Sequence, residues 1–255
     1  EKAIACEADF VAGHCLMAAL NLLGTDRQQL PAAMAALRAA RRAAGGANER
    51  ERAHIAALET FASGGFGAAT TCWEAILVDH PEDALAMTCA HQGDFFLGLS
   101  NELRDRVNRR LGMLSKDWPG YGFYQGMQAF GLEETNQYEA AEAAGRAAVS
   151  ACPRDAWAIH AVAHVMEMSG RTDDGILWLQ LRTDDWARDC FFQVHNWWHI
   201  ALYLFDQQRY NEVIGLYDSR IAAGSGMLDM VDASALLWRL TLHDVDVGDR
   251  WQTLA

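Results

Sequence analysis

Phe66, Tyr138 and Tyr210 stand 72 residues apart in both intervals, each at the head of the same short pattern. The first copy reads Gly64-Gly65-Phe66-Gly67-Ala68-Ala69, then Trp73, then Asp79-His80-Pro81. The second is Asn136-Gln137-Tyr138-Glu139-Ala140-Ala141, then Ala148, then Cys152-Pro153. The third is Gln208-Arg209-Tyr210-Asn211-Glu212-Val213, then Tyr217. A fourth turn of the same kind, Ser169-Gly170-Arg171-Thr172-Asp173-Asp174-Gly175, lies between the last two. The aromatic spacing is twice the roughly 34-residue period of a tetratricopeptide helix–turn–helix. In such a unit a small residue lets the two helices approach, an aromatic fills the elbow, and proline marks the step to the next unit.

Between these turns apolar residues recur at helical period, as in Trp157, Val162, Ala163 and Met166, or Trp197, Ile200, Ala201 and Leu204. No alternating strand pattern of useful length interrupts them. The expected fold is all-α, a right-handed superhelical solenoid of roughly six to seven tetratricopeptide-like helix pairs. An irregular all-α domain is the blander alternative. Residues 1–255 are expected to form a single helical-repeat solenoid. Glu1 to Cys6 reads as the tail of a second repeat helix, and Trp251 to Ala255 as the start of another, so a fragment of a longer chain is expected. Leu30 to Gly46 reads as a helix closed by Gly45-Gly46, and Asn101 to Leu114 as an amphipathic helix whose arginines face solvent.

The 255 residues are 51% apolar, enough for a sizeable core, and their formal net charge is −13. That balance argues against duplex nucleic acid as a partner. No apolar run approaches the roughly eighteen residues of a membrane span, and no leader peptide is expected. Cys6, Cys15, Cys72, Cys89, Cys152 and Cys190 are scattered without a CxxC pair. They read as buried, reduced thiols in a cytoplasmic protein.

Two pairs of the nine histidines carry the chemistry. His160 and His164 stand four apart, and so do His195 and His199. That spacing puts both rings of a pair on one helix face. In the repeat register both pairs fall on first helices of consecutive units, toward the concave groove, so four imidazoles can converge. Glu167 follows on the face of His164, as a fifth ligand or a base. Such a set suits Zn²⁺, Fe²⁺ or Mn²⁺, with zinc or iron foremost. The pattern is not HExxH, because Ala161 follows His160 and Asn196 follows His195. His14, His54 and His91 fall near groove positions of their own units, where packing or solvation explains each by itself. Asp229 and Asp232 read as caps of the helix that follows. One of Glu133 and Glu134 is expected to face the groove.

The stretches His160-Ala-Val-Ala-His164-Val-Met-Glu167-Met168-Ser-Gly170-Arg171 and Phe192-Gln-Val-His195-Asn196-Trp197-Trp198-His199-Ile-Ala-Leu-Tyr203 resemble the tetratricopeptide repeat protein 38 family. Asp232-Ala-Ser-Ala-Leu-Leu-Trp238-Arg239-Leu240 and the run from Gly122 to Glu134 add to the resemblance, which extends over the whole chain. It implies a soluble helical-repeat protein and no defined reaction. Two functions stay open. One is a metal-dependent hydrolase or oxygenase with His160, His164, His195 and His199 as ligands and Glu167 as catalytic base, acting on a small molecule or peptide-like substrate in the groove. The other is a non-catalytic scaffold for a peptide or protein. The sequence says nothing of the oligomeric state.

Overall fold

The computed structural model describes residues 2–224 and 226–254. They form the helices α1 Lys2–Cys6, α2 Val11–Leu23, α3 Leu30–Ala43, α4 Glu49–Ala62, α5 Phe66–Asp79, α6 Ala84–Phe96, α7 Ser100–Leu111 and α8 Tyr121–Glu133. Then follow α9 Tyr138–Ala151, α10 Ala156–Met168, α11 Thr172–Gln180, α12 Thr183–Trp186, α13 Gln193–Asp206, α14 Tyr210–Leu216, α15 Met227–Leu242 and α16 Arg250–Leu254. Among the described residues there is no strand. Seven helix pairs run from α2/α3 to α15/α16, with α1 and α12 outside the pairing. The chain divides into two compact units, Glu1–Tyr121 and Gly122–Ala255.

One turn geometry accounts for the repeated sequence pattern. Gly64, Gly98, Asn136, Gly170 and Gln208 all have φ between 59° and 89°, and each stands two residues before the start of a second helix. The next residue in each turn donates its N–H to the carbonyl five residues back: Gly65 to Thr60, Leu99 to Asp94, Gln137 to Leu132, Arg171 to Met166 and Arg209 to Leu204. The left-handed residue itself bonds three back, as in Gly170 N–H to Glu167 O. This is the Schellman closure, which satisfies the last carbonyls of the first helix and reverses the chain. Glycine fits that φ without strain, and asparagine tolerates it.

Helix starts are capped where a new pair begins. Asp83 accepts from Ala86 N–H at 2.8 Å and Asp155 from Ala158 N–H at 3.1 Å. Each follows a proline-bearing turn, Pro81 and Pro153, where the missing N–H costs nothing.

In Gly122–Ala255 the core holds α10, α11 and α13 together. Trp178 Nε1 donates to Ile159 O at 3.0 Å, and Tyr203 Oη to Ala163 O at 2.6 Å. Trp186, fully buried, donates to Leu179 O at 2.9 Å. Gly175 lies against the Tyr203 ring: a Cβ there would sit 2.4 Å from Cζ.

In Glu1–Tyr121 two of the four arginines of α7, Arg106 and Arg110, do not lie on a solvated face, whereas Arg109 is exposed. Arg106 and Arg110 are both 5% exposed. Arg106 bonds both oxygens of Asp94, at 2.8 and 3.0 Å, and also Glu74, while Arg110 reaches Glu74 at 2.5 Å. A helical period places these arginines on one side of α7 but does not say which side is covered.

Candidate metal centre

His160 and His164 come from α10, and His195 and His199 from α13. One ligand nitrogen from each lies within 4.8 Å of the others. The ring centroids of His160 are 4.2 Å from His164, 4.8 Å from His195 and 5.2 Å from His199. The cluster lies wholly within Gly122–Ala255. The i, i+4 spacing juxtaposes each pair, and the packing of α10 against α13 brings the pairs together.

Neighbouring first helices supply carboxylates. His199 Nδ1 is 2.8 Å from Glu167 Oε2 of α10, and His195 Nδ1 is 2.8 Å from Asp232 Oδ2 of α15. His164 Nδ1 lies 3.2 Å from Glu133 Oε2 of α8, without hydrogen-bond alignment. His160 has no hydrogen-bond partner at either nitrogen. Its ring stacks on Phe192, with centroids 4.5 Å apart and planes at 15°. Trp198 stacks on His195 at 5.2 Å and 16°. These aromatics fix ring orientation without supplying a polar partner.

The Nε2 atoms of His195 and His199 face each other at 3.2 Å. Each ring has its Nδ1 against a carboxylate, which places the N–H proton there and leaves Nε2 as a bare acceptor. Two acceptors in contact need a positive charge between them. Burial, then the neighbouring imidazoles, holds His160 and His199 well below the ordinary imidazole range, which disfavours a proton on those two rings. Burial lowers His164 too, but the facing Glu133 carboxylate and the charges of Glu167 and Glu134 outweigh it, so its net shift is upward.

The other sequence candidates lie elsewhere. His14, His54 and His91 belong to Glu1–Tyr121 and take no part in the cluster. His54 is paired with Asp83 at 3.0 Å, and burial, then Arg106, pushes His91 down to about 3. Asp229 accepts from Gly226 N–H at 2.9 Å and caps α15, as expected. Asp232 differs from its expected capping role, since its carboxylate turns inward to His195. Position 232 lies one turn past the helix start, where the side chain faces α13 rather than the free N–H groups. Glu167 meets Nδ1 of His199 and is not a member of the four-histidine group. Glu133 and Glu134 both approach His164. Nothing in the spacing of Asp232 or Glu133 marks them in sequence, because their partners are 37 and 31 residues away on other helices.

No protein-family model matches the chain. Among solved structures, it is similar to a thermophilic tetratricopeptide repeat protein of Thermus thermophilus, with a TM-score of 0.56 and 17% identity over 74% of this chain and 99% of that one. A tetratricopeptide repeat protein from Parabacteroides merdae matches with a TM-score of 0.56 and 13% identity over 90% of this chain and 93% of that one. With the left-handed turns and paired helices above, these likenesses show that the chain has the all-α helical-repeat fold of tetratricopeptide repeat proteins.

Proposed function

We propose that His160, His164, His195 and His199 bind one divalent metal ion, and that the protein is a metal-dependent enzyme acting on a small molecule or peptide-like substrate. The facing Nε2 atoms of His195 and His199 carry this reading. Two nitrogens bound about 2.0–2.1 Å from one tetrahedral ion sit about 3.3 Å apart, close to the separation found here. Asp232 and Glu167 then act as outer partners that fix tautomer and ring direction and raise ligand basicity. Glu167 is a positioning residue in this arrangement, in place of the base expected from sequence.

His164 and His195 are 24% and 29% exposed at their side chains, whereas His199 is 2% exposed. Substrate therefore approaches from the side of His164 and His195, across the face of Trp198. A bound zinc or manganese ion would acidify a water for hydrolysis, and iron would open oxygen chemistry. The four carboxylates around the rings, Glu133, Glu134, Glu167 and Asp232, disfavour an anionic substrate and favour a neutral or cationic one.

The two histidine stretches also support membership of the tetratricopeptide repeat protein 38 family. Of the six free cysteines only Cys15 and Cys89 are buried, against the expectation for all six, and their free state supports a reducing, cytoplasmic setting. Burial pushes the Cys15 thiol up to about 12, so it behaves as an inert apolar group. Among the described residues no helix is long and apolar enough to cross a membrane.

Elemental analysis of the gently purified protein and its four single His→Ala variants tests the metal reading. The expected result is stoichiometric metal in the wild type and loss in each variant. A wild type that takes up neither Zn²⁺, Fe²⁺ nor Mn²⁺ tightly leaves a peptide-binding scaffold as the surviving function.

A further inference from the structure

Glu133 and Glu134, at the end of α8, approach His164, with Glu133 against its Nδ1. Ligand atoms of the three residues lie within 4.8 Å of one another. Glu133 is 6% exposed, and its Oε2 makes no hydrogen bond. The contrast with the other carboxylates is specific. Asp232 and Glu167 each meet their histidine in a hydrogen bond of 2.8 Å. Glu133 Oε2 stands 3.2 Å from His164 Nδ1 and out of line. An oxygen and a nitrogen bound about 2.0–2.2 Å from one ion at a near-tetrahedral angle are separated by about that much. A second carboxylate beside the first adds like-charge repulsion that a cation relieves.

We propose that Glu133, Glu134 and Nδ1 of His164 form a second divalent-cation subsite. The Nε2 of His164, also buried and without a hydrogen-bond partner, serves the four-histidine centre. His164 thus bridges two cations through its two nitrogens, releasing its ring proton to solvent as the second ion binds. Two carboxylates and one imidazole nitrogen suit Mn²⁺ or Zn²⁺. The bridge rests on the four-histidine reading, whereas the Glu133–Glu134 pair is separate from it.

The test is titration of chelator-stripped full chain with Zn²⁺, read by calorimetry and elemental analysis. Wild type is expected to take two equivalents. Glu134→Gln is expected to retain the tight equivalent and lose the other, with circular dichroism unchanged. His160→Phe, which spares the carboxylate subsite, is expected to weaken the first equivalent instead. Uptake of one equivalent unaffected by Glu134→Gln overturns the second subsite and leaves the four-histidine centre intact. Two equivalents that both survive Glu134→Gln overturn it as well, and no uptake at all overturns both readings. Loading with two equivalents of Cu²⁺ reads the bridge itself. Coupled ions should give a weakened paramagnetic resonance signal that Glu134→Gln restores to that of one isolated ion, whereas a full signal from two independent ions overturns the bridge.

Discussion

Glu167 on α10 accepts a hydrogen bond from Nδ1 of His199 on α13 at 2.8 Å, one first helix buttressing a histidine on the next. The residue stands three before the left-handed Gly170, and Glu133 stands three before Asn136 in the preceding pair. The repeat thus places a carboxylate at the same point of α8 and α10, and each reaches a histidine of the following first helix.

Glu167→Gln keeps the size of the side chain and removes its charge. It should lower Zn²⁺ affinity by about 10–100-fold, the usual effect of losing a partner behind a metal ligand. Chelator-competition titration measures this, with helix content expected to stay at the wild-type level. Unchanged affinity would remove Glu167 from the site.

His160→Phe separates ligand from packing. The ring lies between Phe130 and Phe192 with neither nitrogen hydrogen-bonded. Metal-free protein should gain about 1–3 kcal/mol, because two buried unsatisfied nitrogens disappear. Added Zn²⁺ should stabilise this variant less than wild type. Denaturant melts with and without Zn²⁺ read both effects. Loss of stability in the metal-free state would mean that His160 has polar contacts of its own.

Metal-free protein should lose stability as pH falls from 7.5 toward 5. His160 and His199 are held well below the ordinary value of 6.5 by burial first, and His91 is pushed to about 3 by burial first. The unfolded chain takes protons at these positions that the folded chain refuses, so acid favours unfolding. His164 runs the other way: its raised value stabilises the folded state below the unfolded value, a contribution lost as pH rises through the folded one. Asp155, raised to about 6 by burial first, and Glu134 and Glu167, also raised by burial first, run the same way as His164, but the three lowered rings carry the larger displacements, so the melting temperature should fall with acid. Bound metal should leave over the same range, beginning with protonation of His164, and His164→Ala should bind too little metal to show that release. A melting temperature flat from pH 7.5 to 5 would contradict the burial of these rings.

Gly175→Ala should destabilise by about 1–3 kcal/mol despite alanine's better helix propensity. The added carbon would meet the Tyr203 ring at 2.4 Å, and the Tyr203 hydroxyl is tied to Ala163 O at 2.6 Å. A urea melt measures the change.

Asp94→Ala should cost about 1.5–3 kcal/mol in a urea melt, because Arg106 loses its fully buried partner and keeps only Glu74. Metal uptake should be unaffected, since Arg106 and the histidines belong to different units.

The repeat turns and the two histidine pairs follow from sequence by itself. Left-handed φ favours Gly or Asn at the closing turn of a first helix, and a helix of 3.6 residues per turn must put residues four apart on one face. Both are local rules, readable from neighbours in the chain. Tertiary structure alone decided that α10 and α13 bring the two pairs to one point, and that Asp232, Glu133 and Glu167 become partners of individual rings. It also decided that Arg106 and Arg110 of α7 face inward onto Asp94 and Glu74. Periodicity gives a residue its side of a helix. Which side is covered, and by what, depends on the packing of helices about thirty residues apart in the chain, and no local spacing encodes that.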